Sequence, residues 1–319
     1  MWRVRGDDMP VPMIQPDTVP DSEHRGLMAI LPARARDYAA LARLDRPIGW
    51  WLLFWPCAWG VLLAGGMPTL ASGRWGLLFW LLLGSVAMRG AGCVYNDIVD
   101  VDIDQQVART RARPVASGRV SKKSAWIWLL VLCLIGLVVL LHLHWQAQLV
   151  ALGSLALVAA YPFMKRITGW PQAWLGLVFT WGAPVGWVEI MGLDRLDVLA
   201  LLYLGCWGWC VGYDTIYACQ DREDDALVGI GSSALSLGGH IREGVFGFYG
   251  LALVAWGVAF WRLRPDGFAL LALAPVAAHL LWQAVTLKPE NGDGALARFR
   301  ANRFAGLLMA LACWVVGNA

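Results

Sequence analysis

Apolar residues fill long tracts of this chain, and charged residues cluster between the tracts. An apolar stretch of ~18 or more residues without charges is typical of a helix that crosses a membrane. Only a few residues, around His142 and His144, separate the third tract from the fourth, so these two helices are predicted to be antiparallel neighbours. The pattern predicts an all-α polytopic membrane protein with nine transmembrane helices, at about 48–66, 76–95, 125–143, 146–162, 171–190, 196–213, 244–261, 267–286 and 303–318.

The segment before the first span has a different pattern. Residues 1–26 contain four prolines and no apolar core, which predicts a disordered tail and not a cleavable signal. Residues 27–46 are predicted to form a short helix on the membrane surface. Its arginines, Arg34, Arg36 and Arg43, are then expected to face anionic lipid.

Composition and charge agree with a membrane protein and predict its orientation. The chain is 58% hydrophobic and 15% charged, whereas soluble domains carry about 25% charged residues. Of the 26 Lys and Arg residues, 21 lie in the N-terminal segment and in alternate loops, near 96–124, 163–170, 214–243 and 287–303. The positive-inside rule assigns these segments to the cytoplasm. The expected location is therefore a bacterial cell inner membrane, multi-pass, with a cytoplasmic N-terminus.

The loop after the second predicted span begins with the pattern NDxxDxxxD. On a helix with about 100° per residue, Asn96, Asp97, Asp100 and Asp104 share one stripe about 100° wide. Asp102 lies about 200° from Asp100 and points away. Carboxylates one turn apart repel each other in an isolated helix, so a stripe of them indicates a bound cation.

A second acidic motif follows the sixth predicted span. Asp214, Tyr217, Asp221 and Asp225 share a stripe about 80° wide, and Glu223 points away. The Asp221 and Asp225 pair repeats the spacing of the aspartates in the first motif, and each pair begins where an even-numbered span ends. We interpret this as an internal repeat in which the two motifs face each other. The alternative is a solvated acidic loop.

Two facing carboxylate clusters fit Mg²⁺, which proteins usually hold with one or two carboxylates plus substrate phosphate oxygens. Magnesium held in this way can clamp a diphosphate and neutralise the charge on it as it leaves. The expected metal ligands are Asn96, Asp97, Asp100, Asp104, Asp221 and Asp225.

Basic residues flank both motifs and have two interpretations. The first motif is followed by Arg109, Arg111 and Arg113, and the fourth span is followed by Lys165 and Arg166. Each of these residues can bind phosphate oxygens. Alternatively, each is basic only because cytoplasmic loops of membrane proteins are rich in Lys and Arg.

Arg89 differs from these because it lies inside a predicted span, on the same helical face as the acidic stripe. An intramembrane arginine is costly and usually faces a polar interior, so Arg89 is expected to serve the site, and snorkelling to the interface is the alternative.

At these residues the sequence resembles the UbiA superfamily of intramembrane aromatic prenyltransferases, over nearly the whole chain after residue 40. The segments RLDRPIG and YPFMKR point to the branch that prenylates 4-hydroxybenzoate in ubiquinone biosynthesis. The segments that carry the resemblance are RLDRPIGWWLLFWP (Arg43 to Pro56), RGAGCVYNDIVDVDID (Arg89 to Asp104), RTRARPVASG (Arg109 to Gly118), YPFMKR (Tyr161 to Arg166), YDTIYACQDREDD (Tyr213 to Asp225) and FRANRFAG (Phe299 to Gly306).

The resemblance implies a single transmembrane prenyltransferase domain over residues 27–319. It further implies a nine-helix bundle around a central cavity with both aspartate motifs at its cytoplasmic face, Mg²⁺ as cofactor, and a lateral opening for the isoprenoid tail. Polyprenyl diphosphate, 4-hydroxybenzoate and the lipid bilayer are the expected partners; nothing indicates a nucleic acid, and no protein partner is inferred. The family commonly has a basic residue where this chain has Gly231.

The expected catalytic residues are Asp100, Asp104, Asp221, Asp225 and Arg166. The residues expected to bind substrate are Arg43, Arg46, Arg89, Arg109, Arg113, Lys165, Asp214 and Tyr217. Of these, Arg43, Arg46 and Arg166 are the candidates for pairing with the benzoate carboxylate, because a buried unpaired charge is costly. The rival functions are a related prenyltransferase with another aromatic acceptor, such as homogentisate or a haem precursor, and an ion-coupled transporter.

Overall fold

The computed structural model of the protein describes residues 27–65, 74–106, 110–220, 222, 226–227, 229 and 231–318. The regular structure through these residues is helical, and the predicted tail, residues 1–26, lies outside them. The helices are α1 (Leu27–Ile30), α2 (Ala33–Leu41), α3 (Ile48–Leu63), α4 (Arg74–Val99), α5 (Val101–Asp104), α6 (Lys122–Leu140), α7 (Trp145–Ile167), α8 (Pro171–Thr180), α9 (Gly182–Met191), α10 (Leu196–Ala218), α11 (Ser233–Leu237), α12 (Ile241–Leu263), α13 (Gly267–Leu271), α14 (Ala274–Thr286) and α15 (Gly292–Gly317).

Seven helical segments of the described chain are long and apolar enough to cross a membrane. They are Arg74–Val99, Lys122–Leu140, Trp145–Met164, Leu196–Ala218, Ile241–Leu263, Gly267–Thr286 and Gly292–Gly317. The other two predicted spans differ: α3 has 16 residues, and the predicted span at 171–190 is divided at Trp181 into α8 and α9. The all-helical membrane fold is therefore confirmed, and the count of nine crossings stays a prediction.

Small residues let α3 and α9 pack backbone to backbone near the centre of the bundle. A Cβ atom added at Gly60 of α3 would lie 2.3 Å from the Ala183 carbonyl oxygen. A Cβ at Gly186 of α9 would lie 2.2 Å from the Cys57 carbonyl oxygen. Glycine is required at both positions because these neighbours are backbone atoms that cannot rotate away. Close contact between small residues is a common way for membrane helices to associate.

The other face of α3 packs against the C-terminal helix α15. The Trp59 indole nitrogen donates a hydrogen bond to the Gly306 carbonyl oxygen at 2.9 Å, and Gly306 packs directly under the Trp55 ring. Helix α10 packs along α12 on the far side of the same core. Trp59, Trp209 and Trp256 meet where these helices cross, and all three are fully buried.

Helices α6 and α7 are joined by a short turn, as predicted, but each packs mainly on a different partner. Helix α6 packs against α4, whereas α7 packs against α8 and α9. Residues from both helices then line a cavity inside the bundle.

The N-terminal part of the domain packs against the bundle, and its location at the membrane surface stays a prediction. Helix α2 contacts α4, and the Tyr38 ring meets the Trp128 ring edge to face at 5.8 Å between centroids. Just after α2, Arg43 has a left-handed backbone with φ 57° and a side chain that is only 7% exposed. The prediction that Arg43 faces anionic lipid is therefore wrong, because this turn directs the side chain into the protein.

The glycine contact between α3 and α9 generates a prediction with an unusual sign. Alanine normally stabilises a helix by up to about 1 kcal/mol relative to glycine. At Gly186 the added methyl group overlaps the Cys57 carbonyl group, so Gly186→Ala should destabilise the protein by about 1–3 kcal/mol, as overpacking does. The measurement is the thermal unfolding midpoint of the purified protein in detergent.

Gly250→Ala on α12 is the matched control, because nothing lies within 4 Å of a Cβ at that position. Its midpoint should equal or exceed that of the wild type. A Gly186→Ala midpoint at or above the wild-type value would contradict the close packing of α3 on α9.

Candidate active site

A cavity of about 590 Å³ lies inside the bundle and is lined by residues of α3, α4, α6, α7, α8, α9, α10 and α15. Its body is apolar, with leucine and valine side chains from α4, α6 and α7. The charged residues among the described part of its lining are two aspartates, Asp97 and Asp214, and five arginines, Arg43, Arg46, Arg89, Arg113 and Arg300. An apolar chamber with an excess of arginines suits a ligand that has an apolar body and an anionic group.

The first motif crosses a break between two helices. Helix α4 ends at Val99, Asp100 forms a bend, and the short helix α5 follows. Backbone hydrogen bonds of 2.9 Å, from Asp100 to Asn96 and from Asp104 to Asp100, maintain the helical phase across the bend. Asp100 and Asp104 are accordingly buried, whereas Asp102 is exposed on the other side, as the helical phasing predicts.

Asp97 is the centre of a buried network of charges. One terminal nitrogen of Arg43 donates to both Asp97 carboxylate oxygens, at 2.7 and 3.0 Å. Arg113 donates to Asp97 at 3.2 Å and also to both oxygens of Asp104, at 3.1 and 2.9 Å. Asp97 is only 1% exposed, so these guanidinium groups replace water around it. This pairing gives Asp97 a structural partner; its role as a metal ligand stays a prediction.

Asp104 lies outside the membrane-spanning helices, and two opposing influences act on its acidity. Burial raises the pKa of the Asp104 carboxyl group, and the neighbouring Arg113 guanidinium partly offsets that rise. The Thr110 hydroxyl donates to the Asp104 carbonyl oxygen at 3.0 Å. The ionised form of Asp104 therefore depends on Arg113.

Asp100 is fully buried and forms an ion pair with Arg166 at 2.9 Å. Arg166 belongs to the last turn of α7, so this pair joins α7 to the first motif, as the predicted role of Arg166 in the site requires. The Arg166 side chain is 43% exposed, which leaves part of the guanidinium group accessible. The side chain of the neighbouring Lys165 lies outside the described part of the chain.

Arg89 lies in the cavity wall within α4. Its guanidinium group is 5.2 Å from the centroid of the Phe179 ring and contacts the Cys93 sulfur. A Cβ at Gly49 would lie 2.8 Å from Arg89 Nε, so glycine at that position leaves room for the guanidinium group. Nε itself has no hydrogen-bond partner among the described residues. The guanidinium group thus lines the cavity, as expected for an intramembrane arginine that serves a site.

The second motif is only partly described. Asp214 and Tyr217 line the cavity, as predicted, and the Tyr217 ring packs on Phe299 of α15 at 4.6 Å between centroids. The predicted ligands Asp221 and Asp225 lie outside the described residues, as do Glu223 and the predicted phosphate-binding Arg109. Within the described residues, no three His, Cys, Asp or Glu side chains are close enough together to hold a metal ion. The facing arrangement of the two motifs stays a prediction.

Two further positions change the expectations from the sequence. Arg46 lines the cavity next to Asp45, with 3.4 Å between the closest ion-pair atoms. At Gly231 a Cβ would lie 2.3 Å from the Thr168 carbonyl oxygen. The close approach of the loop before α8 therefore leaves no space for the basic residue that the family commonly has there.

Sequence reasoning missed the contribution of α15. Phe299 and Arg300 both line the cavity, although the segment FRANRFAG was noted only as part of a resemblance. The sequence did contain a signal for Arg300, because it is an arginine next to an apolar span. An arginine in such a position usually faces a polar interior, which is the argument that identified Arg89.

The sequence profile of the UbiA prenyltransferase family matches residues 53–314. This chain belongs to the UbiA prenyltransferase family. Curated relatives include proteins named "4-hydroxybenzoate polyprenyltransferase, mitochondrial" from several eukaryotes. The relative from Drosophila pseudoobscura pseudoobscura is 41% identical over 298 residues, which are 92% of this chain and 74% of the relative. The human relative is 38% identical over 315 residues, 96% of this chain and 83% of its own length.

Solved UbiA structures have the same fold. The apo structure of a UbiA homolog from Aeropyrum pernix K1 matches with a TM-score of 0.68 at 24% identity, covering 83% of this chain and 97% of that one. A UbiA homolog from Archaeoglobus fulgidus bound to GPP and Mg²⁺ matches with a TM-score of 0.65 at 15% identity, covering 89% of this chain and all of that one.

The relatives correct the expected location. They are mitochondrial proteins of eukaryotes, which contradicts a bacterial cell inner membrane. The charge pattern could not have decided the location, because an asymmetry of Lys and Arg distinguishes the two sides of a membrane but does not identify which membrane it is.

The network around Asp97 generates a prediction on stability. Arg43→Gln should lower the free energy of unfolding by about 3 kcal/mol, because it removes the closest partner of the buried Asp97 carboxylate. Arg43→Gln combined with Asp97→Asn should recover much of that loss, since the second change removes the buried charge. Thermal unfolding midpoints of the two single variants and the double variant measure the coupling.

Arg36→Gln is the control, because Arg36 bonds only a nearby backbone oxygen, of Leu31, within the described chain. A double variant that is no more stable than Arg43→Gln alone would show that the pair is not coupled.

Proposed function

We propose that this protein transfers a polyprenyl group from polyprenyl diphosphate to the ring carbon ortho to the hydroxyl group of 4-hydroxybenzoate, in ubiquinone biosynthesis. The observation that carries the proposal is the cavity, whose apolar body suits an isoprenoid and whose arginines suit anionic groups. The names of relatives about 40% identical over most of the chain support the choice of acceptor. Residues 27–319 then act as a single prenyltransferase domain.

The donor atoms at the polar end of the cavity fit Mg²⁺. The Asn96 amide and the Asp214 carboxylate line the cavity. Asp100 and Asp104, about one and two helical turns after Asn96, are buried and do not belong to its described lining. These are hard oxygen ligands, and Mg²⁺ needs only one or two protein carboxylates when phosphate oxygens complete its shell. When bound, the ion would neutralise the negative charge that develops on the leaving diphosphate. We infer that Asp221 and Asp225 complete the ligand set.

The reaction breaks the allylic C–O bond, and its electron pair leaves with the diphosphate. The ring carbon then forms the new C–C bond, and a base takes up the ring proton to restore the aromatic ring. Phe179, Tyr217 and Phe299 present aromatic side chains to the cavity, and aromatic faces stabilise a nearby cation. The apolar walls exclude water, which would otherwise quench the cation.

The arginines divide between the two anionic groups. Arg113 is next to the first motif, so we assign it to the diphosphate. The acceptor carboxylate was expected to pair with Arg43, Arg46 or Arg166. Asp97 already engages Arg43, and Asp100 engages Arg166. Asp45 likewise lies beside Arg46. We therefore assign the carboxylate to Arg89, whose Nε lacks a hydrogen-bond partner among the described residues. Arg109 and Lys165 remain proposed phosphate ligands.

We also propose that the chain crosses the membrane nine times and that both motifs lie at one face. At ~1.5 Å per residue, the 16 residues of α3 reach about 24 Å, slightly less than the ~30 Å apolar layer. Together α8 and α9 supply the fifth crossing, and α9 packs tightly on α3 inside the bundle.

An odd number of crossings puts the two motifs on the opposite side of the membrane from the C-terminus. Accessibility reporters at Arg119 and at Asn318 should therefore report opposite sides. A reporter at Gly192, between α9 and α10, should agree with Asn318. The same side for Arg119 and Asn318 would exclude nine crossings.

The activity itself is tested with purified protein in lipid, 4-hydroxybenzoate and a mixture of prenyl diphosphates of different lengths. Mass spectrometry should detect prenylated 4-hydroxybenzoate with Mg²⁺ and none with EDTA. Prenylation of homogentisate and not 4-hydroxybenzoate would assign the protein to a related reaction. Release of no diphosphate with any acceptor would refute a prenyltransferase.

Paired variants of the first motif test the assignment of residues. Asp100→Ala should reduce turnover by at least about a hundredfold, because it removes a buried carboxylate assigned to the metal. Asp102→Ala should retain near wild-type turnover, since Asp102 is exposed on the other side of α5. Equal losses in the two variants would show that the helical phasing does not determine the function.

A further inference from the structure

A pair of amides is buried between the last two long helices. Gln283 of α14 and Asn302 of α15 are both fully buried. Asn302 Nδ2 donates to Gln283 Oε1 at 3.0 Å, and Gln283 Nε2 donates to Asn302 Oδ1 at 3.3 Å. Tyr249 of α12 donates to Gln283 Oε1 at 2.9 Å, and Trp209 of α10 donates to Asn302 Oδ1 at 2.8 Å. Four helices therefore meet at one polar junction inside an apolar bundle.

This junction determines the rotation of α15. Polar side chains at membrane depth are expensive unless they are paired, so a turned helix would leave both amides unsatisfied. In addition, Asn302 Nδ2 lies 3.3 Å from the Phe299 carbonyl oxygen, which it contacts as a donor. Because Asn302 is fixed against α10 and α14, the rotation of α15 is fixed, and with it the directions of Phe299 and Arg300.

Phe299 and Arg300 point into the cavity. Phe299 packs on Tyr217 at 4.6 Å and on Tyr213 at 5.8 Å, so this side of α15 lies against the helix that leads to the second motif. Arg300 lines the same cavity as Asn96 and Asp214. Helix α15 thus brings a positive charge to the polar end of the cavity from the side of the second motif.

Two other arginines of α15 are directed elsewhere. Arg298 donates to the Thr286 hydroxyl at 3.0 Å and lies over the Trp282 ring. Arg303 lies over the Phe304 ring at 4.7 Å and is exposed. Neither belongs to the described lining of the cavity. Of the three arginines Arg298, Arg300 and Arg303, only Arg300 belongs to the described lining of the cavity. The amide junction determines this selection because it fixes the rotation of α15.

We propose that Arg300 binds an anionic group of a substrate, and that Asn302 and Gln283 are positioning residues that hold it in the cavity wall. The inference rests on the proposed function, which supplies two anions, the diphosphate of the donor and the carboxylate of the acceptor. A planar guanidinium group binds either one through paired hydrogen bonds.

Steady-state kinetics of Arg300→Gln and Arg300→Lys, with each substrate varied in turn, test the contact. Arg300→Gln should raise one KM by about tenfold to a hundredfold, the loss typical of a hydrogen bond to a charged group. A raised KM for the prenyl diphosphate identifies the diphosphate as the ligand, and a raised KM for 4-hydroxybenzoate identifies the carboxylate. Arg300→Lys keeps the charge but loses the paired geometry, so it should recover only part of the affinity.

Arg303→Gln and Arg303→Lys are the matched controls on the same helix and should keep both KM values of the wild type. If wild-type protein is active and the Arg300 variants match it in both KM values, the contact is wrong while the proposed function stands. If the wild-type protein does not prenylate 4-hydroxybenzoate, the proposed function is wrong, and the proposed role of Arg300 is wrong as well.

Gln283→Met tests the positioning role with little change in volume. It should raise the same KM as Arg300→Gln, and combining the two should add little, because both remove one contact. Asn302→Leu provides a second reading. If these variants lower the thermal unfolding midpoint and leave that KM unchanged, the positioning role is wrong. It is also wrong if the increase in KM of the double variant equals the product of the increases in the two single variants.

Discussion

Ion pairing without water is the constraint on which the polar end of this protein depends. Asp97, Asp100 and Asp104 are all buried, and a buried carboxylate is tolerable only when cationic partners surround it. Arg43, Arg113 and Arg166 supply those partners from the turn after α2, from the loop after α5 and from the end of α7. Three separate parts of the chain are thereby tied to the end of α4. The acidic motif is consequently a point of assembly as well as a candidate for chemistry.

The apolar contacts and the ionic contacts have complementary tasks. Backbone contacts at Gly60 and Gly186 bring α3 and α9 together with almost no intervening side chain. Bulky leucine and valine side chains of α4, α6 and α7 form the apolar wall of the cavity. Apolar walls of this kind lower the local dielectric constant, which strengthens electrostatic interactions at the polar end of the cavity. The exclusion of water by these walls protects a reactive cation under the proposed function.

Much of the fold follows from local pattern, and what does not follow depends on long-range contacts. Apolar tracts predicted the long helices, because a membrane span requires about 20 apolar residues wherever it occurs. Helical phase separated the buried Asp100 from the exposed Asp102, although the helix bends between α4 and α5. In contrast, Arg43 pairs with Asp97, 54 residues away in the sequence, through a left-handed backbone turn. The periodicity of apolar residues does not predict such a turn. The close packing at Gly231 could not be predicted for the same reason, since it is defined by Thr168, a residue distant along the chain.

The arginine pairs also bear on how a charged substrate can enter so apolar a protein. Under the proposed function, Asp100 and Asp104 would serve a metal ion by exchanging their present ion pairs with Arg166 and Arg113 for bonds to the ion. Each released guanidinium group then matches the oxygen spacing of a phosphate, which arrives with the ion. No positive charge is lost in this exchange, because a guanidinium group is always charged in proteins. The carboxylates gain a cation and the arginines gain an anion, so no charge is left buried and unpaired. The carboxylates and guanidinium groups that would bind the ion and the diphosphate are already desolvated in these ion pairs. Binding the substrate therefore requires less additional desolvation free energy.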